Sequence, residues 1–312
     1  MILVTGGPGF IGQRLIRRLV DEGHPVRALV RPSARSPQLP HGVAVEAAIS
    51  SLGDTRGLRA ALVGVDAVYH LAGVDWVEAG DDLRATEVEG TRNLLEAALD
   101  AGVKRLIFLS HLDADRAAAF PILKAKGIAE EFIRQNPIPN VILRSSLVYG
   151  PGDHFTVPLA QLMAFFPRVF AVPGDGEVLL QPFWVEDLVS CLAWCLEDEE
   201  LTGQTIEVGG PEHLSFRQIA ALLMRSAALE RRLVELRPSY ARILINTLHT
   251  LLPRMPISTY WLDYLAADRI CELDNVPRVF QLMPARFSQR LEYLSGVDWK
   301  ASLRKQLFAR AV

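Results

Sequence analysis

The chain begins with an apolar run, residues 1–4, that leads directly into a glycine-rich turn and then into an amphipathic helix. In that turn Gly6, Gly9 and Gly12 have the spacing G-x-x-G-x-x-G. Such glycines permit a tight turn, a close approach of a pyrophosphate to the backbone, and close packing of the helix on its strand. The first amides of the helix, with the positive end of its dipole, form an anion site. We therefore expect a dinucleotide to bind here; a glycine-rich turn without a ligand is the alternative.

Length, charge and cysteine content narrow the class of protein. A chain of 312 residues is expected to form two lobes, because domains average about 150 residues. The formal net charge of −3 gives no reason to expect a nucleic-acid partner. Because the first predicted strand begins at Met1, we expect no leader peptide and a cytoplasmic protein, and no apolar run reaches the roughly 20 residues of a membrane span. Cys191, Cys195 and Cys271 fit neither disulfide nor zinc spacing, so we expect core positions and no metal site.

Strand-like and helix-like segments alternate through the first half of the chain. This alternation predicts an α/β fold with a doubly wound parallel sheet. Strands are predicted at 1–5, 25–30, 43–48, 67–72, 105–110 and 140–146, and helices at 10–21, 55–63, 82–101 and 117–135.

The alternation of strand-like and helix-like segments becomes less regular after residue 150, where proline becomes more frequent and the loops become longer. Residues 1–150 are predicted to form the dinucleotide-binding domain, with 185–210 returning to its sheet. Residues 151–184 and 211–312 are predicted to form a smaller, interleaved α/β substrate lobe.

Five segments, in order, resemble the extended short-chain dehydrogenase/reductase superfamily, also called the NAD-dependent epimerase/dehydratase superfamily. They are residues 5–12, 66–73, 90–98, 143–152 and 185–188. The resemblance implies a Rossmann sheet. Within the superfamily, the helix segment 126–131 after Ser110 and the tail segment 290–294 are most similar to an atypical branch. That branch includes the nucleotide-binding accessory subunit of respiratory complex I and its bacterial relatives.

The end of the second predicted strand bears on the choice of cofactor. An Asp or Glu there would bind the adenosine ribose hydroxyls of NAD, but this chain has Arg31. A guanidinium can hold a 2′-phosphate in a bidentate manner, with Arg35 as a second contact, so NADP(H) is favoured over NAD(H). The alternative is that Arg31 is simply a solvated residue at a strand end.

Further cofactor contacts follow from the resemblance. Ala72, Gly73 and Val74 correspond to the small residues that pass beneath the dinucleotide. The full set of expected contacts is Gly6, Gly9, Phe10, Ile11, Gly12, Arg31, Arg35, Ala72, Gly73, Val74, Ser110, Lys126 and Ser146.

The catalytic tyrosine of this superfamily is missing. Active members use Ser, Tyr and Lys, with the lysine four residues after the tyrosine, whereas here Ile122 precedes Lys126 by that spacing. In the other register Phe120 precedes Lys124, so neither register supplies a phenol. Since general-acid catalysis typically contributes about 10²- to 10⁴-fold, ordinary tyrosine-dependent reduction is not expected.

Three residues remain as catalytic candidates: Lys126, Ser110 and His111. Lys126 is interpreted as a contact of the cofactor ribose. The alternatives are that it is the sole catalytic acid or base, or that it is a solvated lysine on the helix surface. Ser110 would orient a carbonyl or cap the strand end. His111 would replace the missing proton donor, or belong to a polar loop in which Asp113 or Asp115 caps the next helix.

The second lobe is apolar in two places. Residues 240–252 would contact a membrane surface or a partner protein, or alternatively pack against the lobe itself. A second set would line a site for a quinone- or isoprenoid-like ligand, or form the core: Phe155, Leu159, Met163, Phe166, Phe183 and Trp184.

Two functions are compatible with these patterns. The first is an NADP(H)-binding atypical reductase of a quinone-like or small carbonyl substrate that works without the usual tyrosine. The second is a non-catalytic dinucleotide-binding protein with an accessory, assembly or redox-sensing role.

Overall fold

The computed structural model describes residues 1–33, 39–73, 83–252 and 254–308. The strands are β1 (Ile2–Thr5), β2 (Val26–Val30), β3 (Val45–Ile49), β4 (Ala67–His70), β5 (Arg105–His111), β6 (Asn140–Ser145), β7 (Val148–Tyr149), β8 (Val169–Pro173), β9 (Leu179–Leu180), β10 (Phe183–Trp184), β11 (Thr205–Val208), β12 (Leu214–Ser215) and β13 (Arg232–Leu236). The α-helices are α1 (Phe10–Asp21), α2 (Thr55–Ala61), α3 (Gly90–Asp100), α4 (Pro121–Gln135), α5 (Thr156–Phe165), α6 (Val185–Glu197), α7 (Phe216–Ser226), α8 (Pro238–Leu251), α9 (Thr259–Tyr264), α10 (Asn275–Phe280) and α11 (Trp299–Phe308).

Seven parallel strands form the main sheet, in the order β11-β6-β5-β4-β1-β2-β3. The predicted doubly wound α/β fold is confirmed. The strand order reverses at β1, which lies between β2 and β4, and ligands of such sheets bind beyond the carboxyl ends of the strands at that point. On one side of the sheet, Leu3, Phe108 and Leu94 belong to a continuous buried cluster.

The chain divides into two compact units. Of the described residues, the first unit contains 1–33, 39–73, 83–145 and 186–208, and the second contains 146–185, 209–252 and 254–308. The second unit has three two-stranded sheets, β7 with β10, β9 with β12, and β8 with β13. Its core includes Phe216 and a T-shaped contact between Tyr149 and Phe287, whose ring centroids lie 4.7 Å apart.

Two helix starts differ from the sequence-based expectation. The helix predicted at 82–101 begins as a π-helical turn, Arg84–Glu89, before α3. The helix predicted to start at residue 117 starts at Pro121, since proline is well suited to the first helical position. Phe120 is its N-cap, so the alternative in which Asp113 or Asp115 caps this helix is wrong. Asp115 instead accepts a hydrogen bond from the Ala117 amide at 2.6 Å.

Helix α8 covers the apolar segment predicted at 240–252. It buries Ala241 and Ile245, while Tyr240, Ile243 and Leu251 are exposed. Across the described parts of the chain, no helix combines the length and apolarity that crossing a membrane would require.

Candidate functional site

The glycine turn between β1 and α1 leaves almost no room for side chains. Gly6 has φ +71°, and a Cβ on it would lie 2.8 Å from the Ala72 nitrogen. A Cβ on Gly12 would lie 2.2 Å from the Gly6 carbonyl oxygen. Gly9 donates its amide to the same Gly6 oxygen at 3.0 Å. The turn therefore closes tightly, against the end of β4, only because these positions lack side chains.

The start of α1 is suited to bind an anion. Gly9 is its N-cap and supplies no side-chain hydrogen bond to the first turn. Two nearby side chains donate to backbone carbonyl oxygens: Gln13 Nε2 donates to Pro8 O at 2.8 Å, and Arg14 donates to Phe10 O at 2.7 Å. The first-turn amides, with the helix dipole, fit the pyrophosphate of a dinucleotide.

The end of β2 carries a cation and no carboxylate. Val30 ends β2, its carbonyl accepts the Ser50 amide at 2.9 Å, and exposed Arg31 follows. The predicted second arginine, Arg35, lies outside the described residues. The structure thus places a basic side chain, and no carboxylate, directly after this strand.

A buried chain of hydrogen bonds connects β1, at the residue before the glycine turn, to the π-helical turn. The Ala72 amide donates to Thr5 Oγ1 at 3.2 Å, and Thr5 Oγ1 lies 2.8 Å from His70 Nδ1. His70 Nε2 lies 2.9 Å from Thr91 Oγ1, which donates to the Glu87 carbonyl at 2.6 Å. Because each hydroxyl has one proton, the directions are consistent only if His70 carries its proton on Nε2 and accepts at Nδ1. Burial, with the nearby Lys126 charge, lowers the pKa of His70 to about 3, so the ring stays neutral.

Lys126 forms an ion pair with Glu87 in the interior of the first unit. Its Nζ lies 2.9 Å from Glu87 Oε2, and the two side chains are only 4% and 1% exposed. The ammonium also lies 4.8 Å from the centroid of the Phe108 ring and 3.4 Å from the Leu109 carbonyl oxygen. Lys126 is therefore not a solvated helix lysine.

The ion pair lies directly against Gly73. A Cβ on Gly73 would lie 2.7 Å from Glu87 Oε1 and 3.3 Å from Lys126 Nζ. The structure thus brings together Ala72, Gly73 and Lys126 of the predicted site; Val74 lies outside the described residues.

The predicted serines are both engaged in internal hydrogen bonds. Ser110 is buried and donates to Glu130 Oε1 at 2.6 Å, so its proton orients a carboxylate. The same carboxylate accepts two bonds from Arg144, at 2.9 and 2.7 Å, and this hydrogen bonding raises the pKa of Arg144. Ser146, in the second unit, donates to the Gln181 carbonyl at 2.6 Å.

The position expected for a catalytic tyrosine is apolar and enclosed. Ile122 is 4% exposed, and the sequence has no tyrosine between Tyr69 and Tyr149. Tyr69 itself is fully buried and donates to the Leu192 carbonyl at 3.0 Å. His111, the last residue of β5, is half-buried.

Sequence reasoning did not identify Glu87 or His70. A signal for Glu87 was present, because Glu87, Thr91, Leu94 and Ala98 follow helical spacing on one buried face. A carboxylate on such a face needs a buried partner, which Lys126 provides.

His70 makes stability pH-dependent. In the unfolded chain its pKa is about 6.5, whereas in the folded protein it is lowered to about 3. Below pH 6.5 the unfolded chain therefore binds a proton that the folded protein does not, and the free energy of unfolding falls as the pH falls. We expect His70 to contribute a loss of about 1 kcal/mol between pH 7 and pH 5.5. Denaturant unfolding at both pH values measures this loss. It should be reduced in His70→Gln and retained in His41→Gln, a control at an exposed histidine. Equal losses in the two variants would contradict the assignment of the pH dependence to His70.

Comparisons with known proteins agree with this geometry. Residues 6–153 match the family model described as NAD(P)H-binding. The chain is 29% identical over 262 residues to the 2-alkyl-3-oxoalkanoate reductase of Stenotrophomonas maltophilia, covering 74% of this chain and 76% of the relative. It is 32% identical over 198 residues to the ceramide reductase of Caulobacter vibrioides, covering 62% and 61% of the two chains.

Solved structures share the fold. The UDP-glucuronic acid 4-epimerase of Bacillus cereus, solved with UDP-glucuronic acid and NAD, has a TM-score of 0.71 and 20% identity. The match covers 97% of this chain and 99% of that one. The family model thus indicates NAD(P)H binding for residues 6–153, two relatives are named reductases, and the solved structure shares the fold.

Proposed function

We propose that this chain, with its NAD(P)H-binding segment and epimerase-like fold, reduces a carbonyl compound with NADP(H) and without a catalytic tyrosine. In this proposal the first unit holds the cofactor and the second unit holds the substrate. We also keep the expectation that the protein works in the cytoplasm, and that its substrate is an apolar, quinone-like or small carbonyl compound.

The observation that carries the proposal is the buried Lys126 ammonium beside Gly73. When bound, the reduced nicotinamide would supply a hydride to a carbonyl carbon. The cofactor would be held by the Gly6–Gly12 turn, Arg31 and the segment at Ala72 and Gly73. Lys126 Nζ would then hold the proton destined for the carbonyl oxygen, because Ile122 cannot donate one. Glu87 Oε2, 2.9 Å from Nζ, gives this buried ammonium a partner of opposite charge.

The choice of NADP(H) rests on Arg31. We expect Arg31→Ala to weaken NADPH binding by about 10- to 100-fold, because a charge-assisted hydrogen bond contributes about 1.5–3 kcal/mol. NADH has no 2′-phosphate, so its affinity should hardly change. Fluorescence titration of the purified protein with each dinucleotide measures both affinities. Arg92→Ala, at an exposed arginine of α3, is the matched control; equal losses for NADPH and NADH would refute the phosphate role.

The reductase proposal is tested by turnover. Oxidation of NADPH is followed as the loss of the absorbance of the reduced nicotinamide ring, with a panel of quinones and 3-oxoacyl compounds as substrates. The panel includes oxoacyl compounds because one relative is named an oxoalkanoate reductase. We expect Lys126→Met to abolish turnover while NADPH still binds. No turnover with any compound would contradict the reductase proposal. Turnover that survives this substitution would contradict the role proposed for Lys126.

The second candidate is a non-catalytic dinucleotide-binding protein with an accessory, assembly or redox-sensing role, as in the complex I-like branch. It is favoured by the apolar Ile122 and by Ser110, whose proton is committed to Glu130. The exposed apolar residues Tyr240, Ile243 and Leu251 of α8 would then contact a partner protein or a membrane surface. Binding of NADPH without turnover would favour this role.

A further inference from the structure

The second unit contains a large cavity that the dinucleotide site does not explain. Its volume is about 330 Å³. Helices α5, α7, α8 and α9 and strands β8 and β13 enclose it. Protein interiors normally have few voids larger than a water molecule, whereas ligand pockets occupy about 300–1,000 Å³. The cavity therefore has the size of a binding site.

The side chains that line the cavity are almost entirely apolar. Among the described residues that line it, Trp261 alone has a polar side-chain atom. Three of the residues predicted to face an apolar ligand lie here, namely Phe155, Leu159 and Phe166. Met163 and Phe183, predicted with them, are fully buried in the protein core.

Two lining residues also reach the surface. Val169 at the start of β8 is 44% exposed, and Leu244 on α8 is 40% exposed. These two side chains therefore contact both the cavity and the solvent. Ile243, next to Leu244, is 62% exposed, so the surface of α8 beside the cavity wall is apolar as well.

We propose that this cavity binds an aliphatic chain, such as the acyl or alkyl tail of a lipid-like molecule. An aliphatic chain needs no hydrogen-bond partner, which suits this lining. A quinone has carbonyl oxygens at opposite ends of its ring, and the single polar atom of Trp261 would leave at least one unpaired. The proposal concerns the second unit alone and does not rest on dinucleotide binding.

The cavity volume limits the length of chain that fits. If a methylene group takes about the space of a water molecule, roughly 30 Å³, then about ten to eleven methylenes fill the cavity. Each methylene transferred from water should raise affinity about three- to fourfold. Affinity should therefore rise steeply with chain length and level off near ten to twelve carbons.

The experiment is displacement of the neutral fluorophore N-phenyl-1-naphthylamine from the 312-residue chain by linear alkanoates of increasing length. No dinucleotide is present, and each alkanoate is kept below its micelle concentration. We expect saturable fluorophore binding and displacement that strengthens with each methylene and then levels off. Failure of the wild-type protein to bind the fluorophore or any alkanoate would overturn the proposal, whatever the outcome of the NADPH titrations.

Substitutions locate the site. Ala241 is buried and lines the cavity, so Ala241→Phe should fill it and reduce alkanoate binding by about tenfold or more, since roughly two methylenes or more lose their place. Ser239→Phe adds the same ring to the exposed first turn of the same helix and should bind as wild type. If Ala241→Phe does not fold, Ala171→Leu on β8 provides the second filling variant. Alkanoate binding that is unchanged in a folded filling variant would place the ligand elsewhere and refute the proposal.

Discussion

Replacing Gly12 by alanine is expected to weaken dinucleotide binding strongly. The new Cβ would lie 2.2 Å from the Gly6 carbonyl oxygen and 2.8 Å from the Gly7 Cα, and both are backbone atoms that cannot rotate away. The turn must open, at an overpacking cost of about 1–3 kcal/mol. If that cost appears in binding, NADPH affinity falls roughly ten- to a hundredfold. Titration of the folded variant with NADPH measures the loss.

A matched alanine substitution controls for the general effect of losing a glycine. A Cβ on Gly53 would meet only Ser51 Oγ, at the ordinary distance of 3.8 Å, so Gly53→Ala should bind NADPH as wild type does. If Gly12→Ala binds equally well, the turn is not the pyrophosphate site.

Separating Lys126 from Glu87 is expected to have the largest effect on stability. Each side chain is almost completely buried, so Glu87→Leu leaves an ammonium in the interior without its carboxylate, and Lys126→Met leaves the carboxylate. Breaking a buried ion pair typically costs about 3–5 kcal/mol, whereas replacing both partners with apolar residues is often close to neutral. Urea unfolding should therefore show two unstable single variants and a double variant near wild type.

The double-mutant cycle distinguishes pairing from separate packing roles. Additive losses in the double variant would show that the two charges do not depend on each other. The exposed pair Arg59 and Asp100 is the control, since exposed pairs contribute only about 0–1 kcal/mol. A stable double variant that binds NADPH but shows no turnover would separate the structural role of the pair from the role proposed for Lys126.

Local patterns account for what could be predicted from the sequence. The Gly6–Gly12 turn is recognisable because its constraint acts between residues close in the chain. The parallel sheet is recognisable because each buried strand is a short apolar run between polar loops. The π-helical turn Arg84–Glu89 was not predictable, since it differs from an α-helix only in hydrogen-bond register.

Interactions between distant segments account for what was missed. Nothing near Glu87 in the sequence indicates that its partner is Lys126. Likewise, nothing near Ser110 indicates that its proton goes to Glu130. The sequence also cannot separate Phe155, which lines the cavity, from Met163, which fills the core, because both sites select apolar side chains.

The three cysteines can report how the protein unfolds. All are buried, and burial raises the pKa of Cys195 to about 12 and that of Cys191 well above its usual range. Thiol reagents attack the thiolate, so labelling requires the surrounding structure to open. Cys191 and Cys195 lie in the first unit and Cys271 lies in the second. Peptide-resolved alkylation rates in the unmodified protein would therefore show whether its two units open together or independently.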